Sequence, residues 1–192
     1  MKLSRLLRSE DARQTLDLTL RLTQRSVSSE FKGTALGRLW SFINPLATVA
    51  VFSLIFGVVF RGGVAPGRNS GIDSFALWIG IGVLSWNFMS SGIMASMNAL
   101  VDNSGLLTKV YFPRQVLIYS AVLSLAVDFA FELLVLTVIA MIMGGPGVLL
   151  MLPALLVVTL LAGMFAVGLG LILSIATVYF RDLGHLWQIF NQ

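Results

Sequence analysis

Four long stretches with little or no charge alternate with short polar connections along this chain. Leu39 to Phe60 is uncharged for 22 residues, and Ser74 to Val101 is uncharged again. Val116 to Gly144 is apolar apart from Asp128 and Glu132, and Val148 to Phe180 is uncharged for 33 residues. At about 1.5 Å per residue, each stretch is long enough to cross a hydrocarbon core of roughly 30 Å. The pattern predicts four membrane-spanning helices, at about 39–60, 74–101, 116–143 and 148–178. The last run exceeds a perpendicular span, which predicts tilt, a lead-in segment at Pro153 or a helix extended beyond the membrane. Asn44-Pro45 sits one turn inside the first span, where the missing N–H of proline favours a kink.

The first 38 residues read differently. They carry Lys2, Arg5, Arg8, Arg13, Arg21, Arg25, Lys32 and Arg38. Leu16, Leu20, Val27 and Phe31 fall on one helical face with Thr23 between them, whereas Leu18 and Leu22 fall on the other side. The strict alternation of Leu16, Leu18, Leu20 and Leu22 taken alone suggests a strand. A lone strand beside a bilayer has no pairing partner, so an amphipathic helix in the membrane interface is the reading adopted. The fold class is therefore all-α: a polytopic membrane helix bundle of four transmembrane helices (39–192) preceded by an interface arm (1–38).

Composition agrees. The chain is 57% hydrophobic and 11% charged, with mean hydropathy +0.89, where a soluble domain carries roughly a quarter charged residues. Charge also sets the orientation. Of 13 Lys and Arg, eleven lie in the N-terminal arm, the second loop (Lys109, Arg114) and the C-terminal tail (Arg181). Only Arg61 and Arg68, in the first loop, lie on the opposite side. That bias places the N-terminus in the cytoplasm. A net charge of +4 concentrated beside a span indicates membrane anchoring, not nucleic-acid binding. The first long apolar run begins too late, and runs too long, for a cleaved leader.

Candidate chemistry is sparse. There is no cysteine and a single histidine, His185, so no thiolate site or histidine-based metal site can be assembled. No nucleophile–base pair is evident, which argues against an enzyme. No G-x-x-x-x-G-K-[ST] loop is present, and Gly80-Ile81-Gly82 lacks the remaining features of a phosphate-binding turn. No cofactor, ATP included, is expected on this chain.

Asp128 and Glu132 are four residues apart, on one face of the third span. Each costs roughly 2.5–3.5 kcal/mol near the bilayer centre on insertion scales. They suit a proton relay or a polar path lining, and equally a pair satisfied by neighbouring helices or a subunit interface. Ala162, Ala166, Gly170 and Ser174 form a small-residue ladder for close helix packing within the chain or, second, in a dimer. Trp40, Trp78 and Trp187 are placed for interfacial belts. Trp86 lies deeper, as a packed core residue or a surface for stacking on sugar rings. The second loop opens with helix-capping residues Asp102-Asn103-Ser104 and closes at Pro113. It predicts a cytoplasmic helix of about two turns over 103–112. Leu106, Leu107, Val110 and Tyr111 make it apolar enough to dock into a partner's groove or to rest on lipid headgroups.

Three segments resemble a known family. Phe31-Lys32-Gly33-Thr34-Ala35-Leu36-Gly37-Arg38-Leu39-Trp40 through Asn44-Pro45 is similar to the approach to its first span. Leu106-Leu107-Thr108-Lys109-Val110-Tyr111-Phe112-Pro113-Arg114 is similar to its coupling helix, and Tyr179-Phe180-Arg181-Asp182-Leu183 to the end of its fourth span. The family is the permease subunit of bacterial type-2 ABC exporters of lipid-linked polysaccharide, which handle O-antigen, capsule and teichoic acid.

The resemblance implies a homodimer of permeases in the inner membrane with two separate ATPase subunits that bind ATP and magnesium. Leu106, Leu107, Lys109, Val110, Tyr111, Phe112, Pro113 and Arg114 would couple the permease to the ATPase. Phe31, Lys32, Gly33, Leu36, Gly37, Trp40 and Pro45 would form the interface motif where the glycan lipid enters. Arg181 and Asp182 would end the fourth span. The family usually has six spans, so this chain is expected to lack the last two. Glu30 and Arg38 stand where the family usually has arginine and proline. A proton-coupled carrier or channel subunit using Asp128 and Glu132 is one competing reading, and a non-transporting membrane scaffold is another.

Overall fold

A computed structural model describes residues 2–30, 37–55, 74–107 and 113–191. All regular elements among them are helical. Helix α1 (Lys2–Glu30) is followed by a 3-10 turn (Gly37–Leu39) and α2 (Trp40–Phe52). Helix α3 (Phe75–Asp102) leads into the single turn of α4 (Ser104–Leu107). Helix α5 (Gln115–Gly144), a 3-10 segment (Pro146–Met151), α6 (Leu152–Tyr179) and α7 (Leu183–Phe190) complete the chain.

Three of these helices, α3, α5 and α6, are long and apolar enough to cross a membrane. Their bounds fall within a residue or two of the expected second and third spans. The fourth expected run is divided. Gly145, at φ +76°, turns the chain in a conformation that favours glycine, and its N–H caps the Met141 carbonyl at 2.9 Å. Six residues of 3-10 helix opening at Pro146 then lead into α6, whose 28 residues span about 42 Å. The excess length is thus taken up by a lead-in segment and by a helix longer than a perpendicular crossing. The expected first span is represented by α2 and a π-type turn at 53–55; positions 56–60 lie outside the described residues. Helix α2 continues through a fully buried Pro45.

The chain forms two compact units, and α3, α5 and α6 each contribute to both. The first contains α1, the C-terminal half of α3, α4, the start of α5, the end of α6 and α7. Ile93, Met97, Val122 and Ala166 form one core cluster there, and Ala99, Leu117 and Ile118 another. In this unit α3 and α6 cross on small residues. A Cβ placed on Gly92 would lie 3.2 Å from the Ala166 Cβ, and one on Gly170 would meet the Ser96 side chain. The small-residue ladder therefore packs within the chain. Its large neighbours Leu160, Met164 and Ile172 face outward.

The second unit contains α2, the N-terminal half of α3, the C-terminal part of α5 and the start of α6. Two aromatic contacts hold α5 in it. Phe129 stacks on Phe88 of α3 with ring centres 4.6 Å apart, and Phe131 meets Phe42 of α2 edge-on at 5.6 Å. Such pairs contribute about 0.5–1.5 kcal/mol each beyond their burial.

Candidate functional site

The N-terminal arm is a helix, and its register resolves the leucine pattern. Thr19 and Thr23 are buried, and with Thr15 they form a stripe at four-residue spacing. The Thr19 hydroxyl donates to the Thr15 carbonyl and the Thr23 hydroxyl to the Thr19 carbonyl, both at 2.8 Å. Thr23 also reaches the Ser120 carbonyl of α5 at 3.5 Å. With hydroxyls satisfied along the helix, the stripe presents mainly methyl groups to its neighbour. At 3.6 residues per turn, Leu16 and Leu20 flank this stripe on one side and Leu18 and Leu22 on the other. Asp17, Arg21, Gln24 and Arg25 face the opposite way and are exposed. The leucines thus border a single wide apolar arc with threonine at its centre. Of the interface motif, Gly37 opens the 3-10 turn at φ +52°, Trp40 is the first residue of α2 and Pro45 lies inside it. Phe31, Lys32, Gly33 and Leu36 lie outside the described residues.

The second loop opens with one turn of helix, Ser104–Leu107. The Asn103 side chain donates to the Ala99 carbonyl at 2.9 Å, closing α3. Its own carbonyl accepts from the N–H groups of Leu106 and Leu107 at 3.0 and 3.1 Å, opening α4. Leu106 and Leu107 are half-buried, packed with Leu22 against the Ala99–Leu117–Ile118 cluster. Their apolar character is at least partly used inside the chain. Pro113 and Arg114 are exposed, and their carbonyls accept from Val116 and Leu117 to start α5. Lys109, Val110, Tyr111 and Phe112 lie outside the described residues.

Asp128 and Glu132 are both half-buried, one turn apart on α5, and bracket Phe129 and Phe131. Among the described residues no group of three or more His, Asp and Glu could hold a metal. Arg181 and Asp182 form the exposed turn between α6 and α7. There the Asp182 carbonyl accepts from Leu186 at 3.1 Å. His185 is exposed on α7. Trp187 is half-buried: it packs against the first core cluster and donates its Nε1–H to the Ser90 carbonyl at 3.3 Å.

Residues 78–86 of α3 form a surface that the sequence indicates only in part. Trp78, Gly82 and Trp86 recur every four residues, hence on one face. Trp78 is 66% and Trp86 44% exposed. The two line a groove of about 470 Å³ with Gly82 between them. Trp86 is therefore not a packed core residue. It stands about 16 Å along the helix from its N-terminal end, deeper than the interface at which tryptophan usually settles. The spacing was visible in the sequence; the side chains' exposure was not.

A sequence model of the ABC-2 type transporter family matches residues 17–192. The chain is 33% identical over 171 residues to an O-antigen export system permease protein RfbA of Myxococcus xanthus, covering 88% of this chain and 62% of that protein. It is 25% identical over 167 residues to a protein of the same name from Klebsiella pneumoniae, covering 87% of this chain and 61% of that one. It thus spans about three fifths of the length of the curated relatives it matches. With three apolar helices of membrane length and a family match over nine tenths of its residues, this multi-pass membrane protein belongs to the ABC-2 type transporter family.

Proposed function

We propose that the chain is the permease part of an ATP-driven exporter that moves a lipid-linked polysaccharide across the bacterial inner membrane. The similarity to O-antigen permeases over 88% of the chain carries this reading. In it the chain crosses the membrane four times, with α2 in the first crossing, and its N-terminus is cytoplasmic. Helix α1 lies at the interface on its leucine arc, with Arg21 and Arg25 toward headgroups and water. Residues 103–114 meet a separate ATPase subunit that binds ATP and magnesium. Because Leu106 and Leu107 pack inward, that contact is assigned to Lys109–Arg114. Two permeases and two ATPases make the working unit. The exposed tryptophans of α3 offer flat apolar faces to which sugar rings can stack, which favours α3 as a wall of the glycan path. Complementation tests the proposal: the chain is expressed in a strain that lacks its O-antigen permease but keeps the ATPase. Restored surface glycan supports the reading. A chain that inserts in the membrane, restores none and also fails to co-purify with the ATPase overturns it.

The half-buried carboxylates of α5 favour a second reading, a proton-coupled carrier or channel. It requires pH-driven flux in vesicles without ATPase, abolished by Asp128→Asn with Glu132→Gln. Flux that is absent or unchanged by the substitutions excludes it.

A further inference from the structure

The second unit contains a pocket of about 350 Å³ walled by α3, α5, the 3-10 segment and α6. Of its eleven described lining residues, Ser85 and Thr137 carry a polar side chain and the rest are apolar. The Thr137 hydroxyl already donates to the Leu133 carbonyl at 2.7 Å. A buried water needs two to four polar partners, so this lining holds water poorly. The pocket opens to the surface, where its lining residues Ala154 and Val158 are exposed, so the medium that solvates these helices can enter it.

The surroundings indicate the occupant. The walls belong to helices of membrane length, where the solvent is hydrocarbon. Ala140 and Leu133 line the pocket four and eleven residues before Gly144, the last residue of α5. That places the lining about 6 to 17 Å in from that helix end. The hydrocarbon of one leaflet is about 15 Å deep. We propose that the pocket binds one hydrocarbon tail of a bilayer lipid, admitted from the leaflet at the 144–147 turn. The tail acts as packing material between α3, α5 and α6, and the site is independent of the export reading.

The test uses the full chain reconstituted in vesicles of phosphatidylethanolamine and phosphatidylglycerol. A small fraction of the phosphatidylglycerol carries a diazirine in one acyl chain. After illumination, labelled peptides are mapped by mass spectrometry. Label is expected on the pocket walls at Leu136, Ala140 and Leu155, above the level at Leu160 and Met164 on the outward face of α6. Ala140→Phe and Ala154→Trp fill the pocket from opposite walls. Each is expected to abolish wall labelling while labelling at Leu160 and Met164 persists. Wall labelling that survives both substitutions overturns the proposal. Walls labelled no more than the outward face also overturn it, and this comparison in the unsubstituted chain decides the matter even if neither variant folds. Unlabelled walls, the result of a protein segment filling the pocket, overturn it as well.

Discussion

Among the described glycines, Gly170 has the least room for a side chain. A Cβ there would lie 2.6 Å from the Ser96 Oγ and closer still to the Ser96 Cβ. Ser96 is fully buried and its hydroxyl donates to the Gly92 carbonyl at 2.7 Å. The Ser96 Cβ is fixed to the backbone of α3, so no rotamer change relieves the contact and the two helices must part. Overpacking of this kind costs about 1–3 kcal/mol. Replacing glycine by alanine within a helix returns about 0.8–1 kcal/mol. Gly170→Ala should therefore be destabilising by on the order of 1 kcal/mol, and Gly170→Leu by about 3 kcal/mol or more. Gly168, two residues earlier on the same helix, meets nothing within 4 Å. There the propensity gain stands alone, and Gly168→Ala should stabilise by about 0.5–1 kcal/mol.

Unfolding in mixed micelles with rising sodium dodecyl sulfate, followed by tryptophan fluorescence, measures all of these variants. A double-mutant cycle then identifies the atom responsible. Ser96→Gly removes the Cβ and should restore the stability lost in Gly170→Ala. Ser96→Ala keeps that Cβ and should not. Gly170→Ala as stable as the parent would refute the crossing, and so would equal rescue by Ser96→Ala.

Leu107→Asp puts a charge against the Ala99–Leu117–Ile118 cluster and should lower the unfolding midpoint by the equivalent of about 2 kcal/mol or more. Arg114→Glu, at an exposed site, should leave the midpoint unchanged and weaken co-purification with the ATPase. Trp78→Ala with Trp86→Ala should reduce glycan export in the complementation strain without lowering stability, because both side chains are exposed; unchanged export would remove α3 from the path. The chain has no cysteine, so single cysteines report topology directly. Gly147→Cys should react with an impermeant maleimide in intact cells, and Asp182→Cys only after permeabilisation; the reverse pattern would invert the orientation.

The long helices could be read from the sequence because lipid tolerates charge so poorly. An uncharged run has few alternatives, and α3, α5 and α6 follow their runs closely. What each helix turns inward was harder to read. In water the apolar side chains mark the buried face. Here Thr19 and Thr23 of α1, Ser90 and Ser96 of α3, and Ala166, Gly170, Ser174 and Thr177 of α6 are buried. Leu16, Leu20, Trp86, Leu160 and Ile172 are exposed. Hydrocarbon outside removes the reason to hide a leucine, so close approach selects small residues whose hydroxyls are satisfied by their own helix. The leucine alternation in α1 was thus an unreliable guide, and its threonine spacing the useful one.

The same reasoning limits the second loop. An apolar pair such as Leu106 and Leu107 serves a partner's groove and the chain's own core equally well in the sequence, and only burial separates the two uses. Once these leucines are assigned inward, the case for coupling passes to the residues after them. Pro113 and Arg114 stay exposed at the start of α5, whose first turns Val116, Leu117 and Ile118 are among the most buried of the chain. A force applied at Arg114 would therefore enter a helix whose first turn is buried. That helix runs on through the turn carrying Asp128 and Glu132 to Gly144.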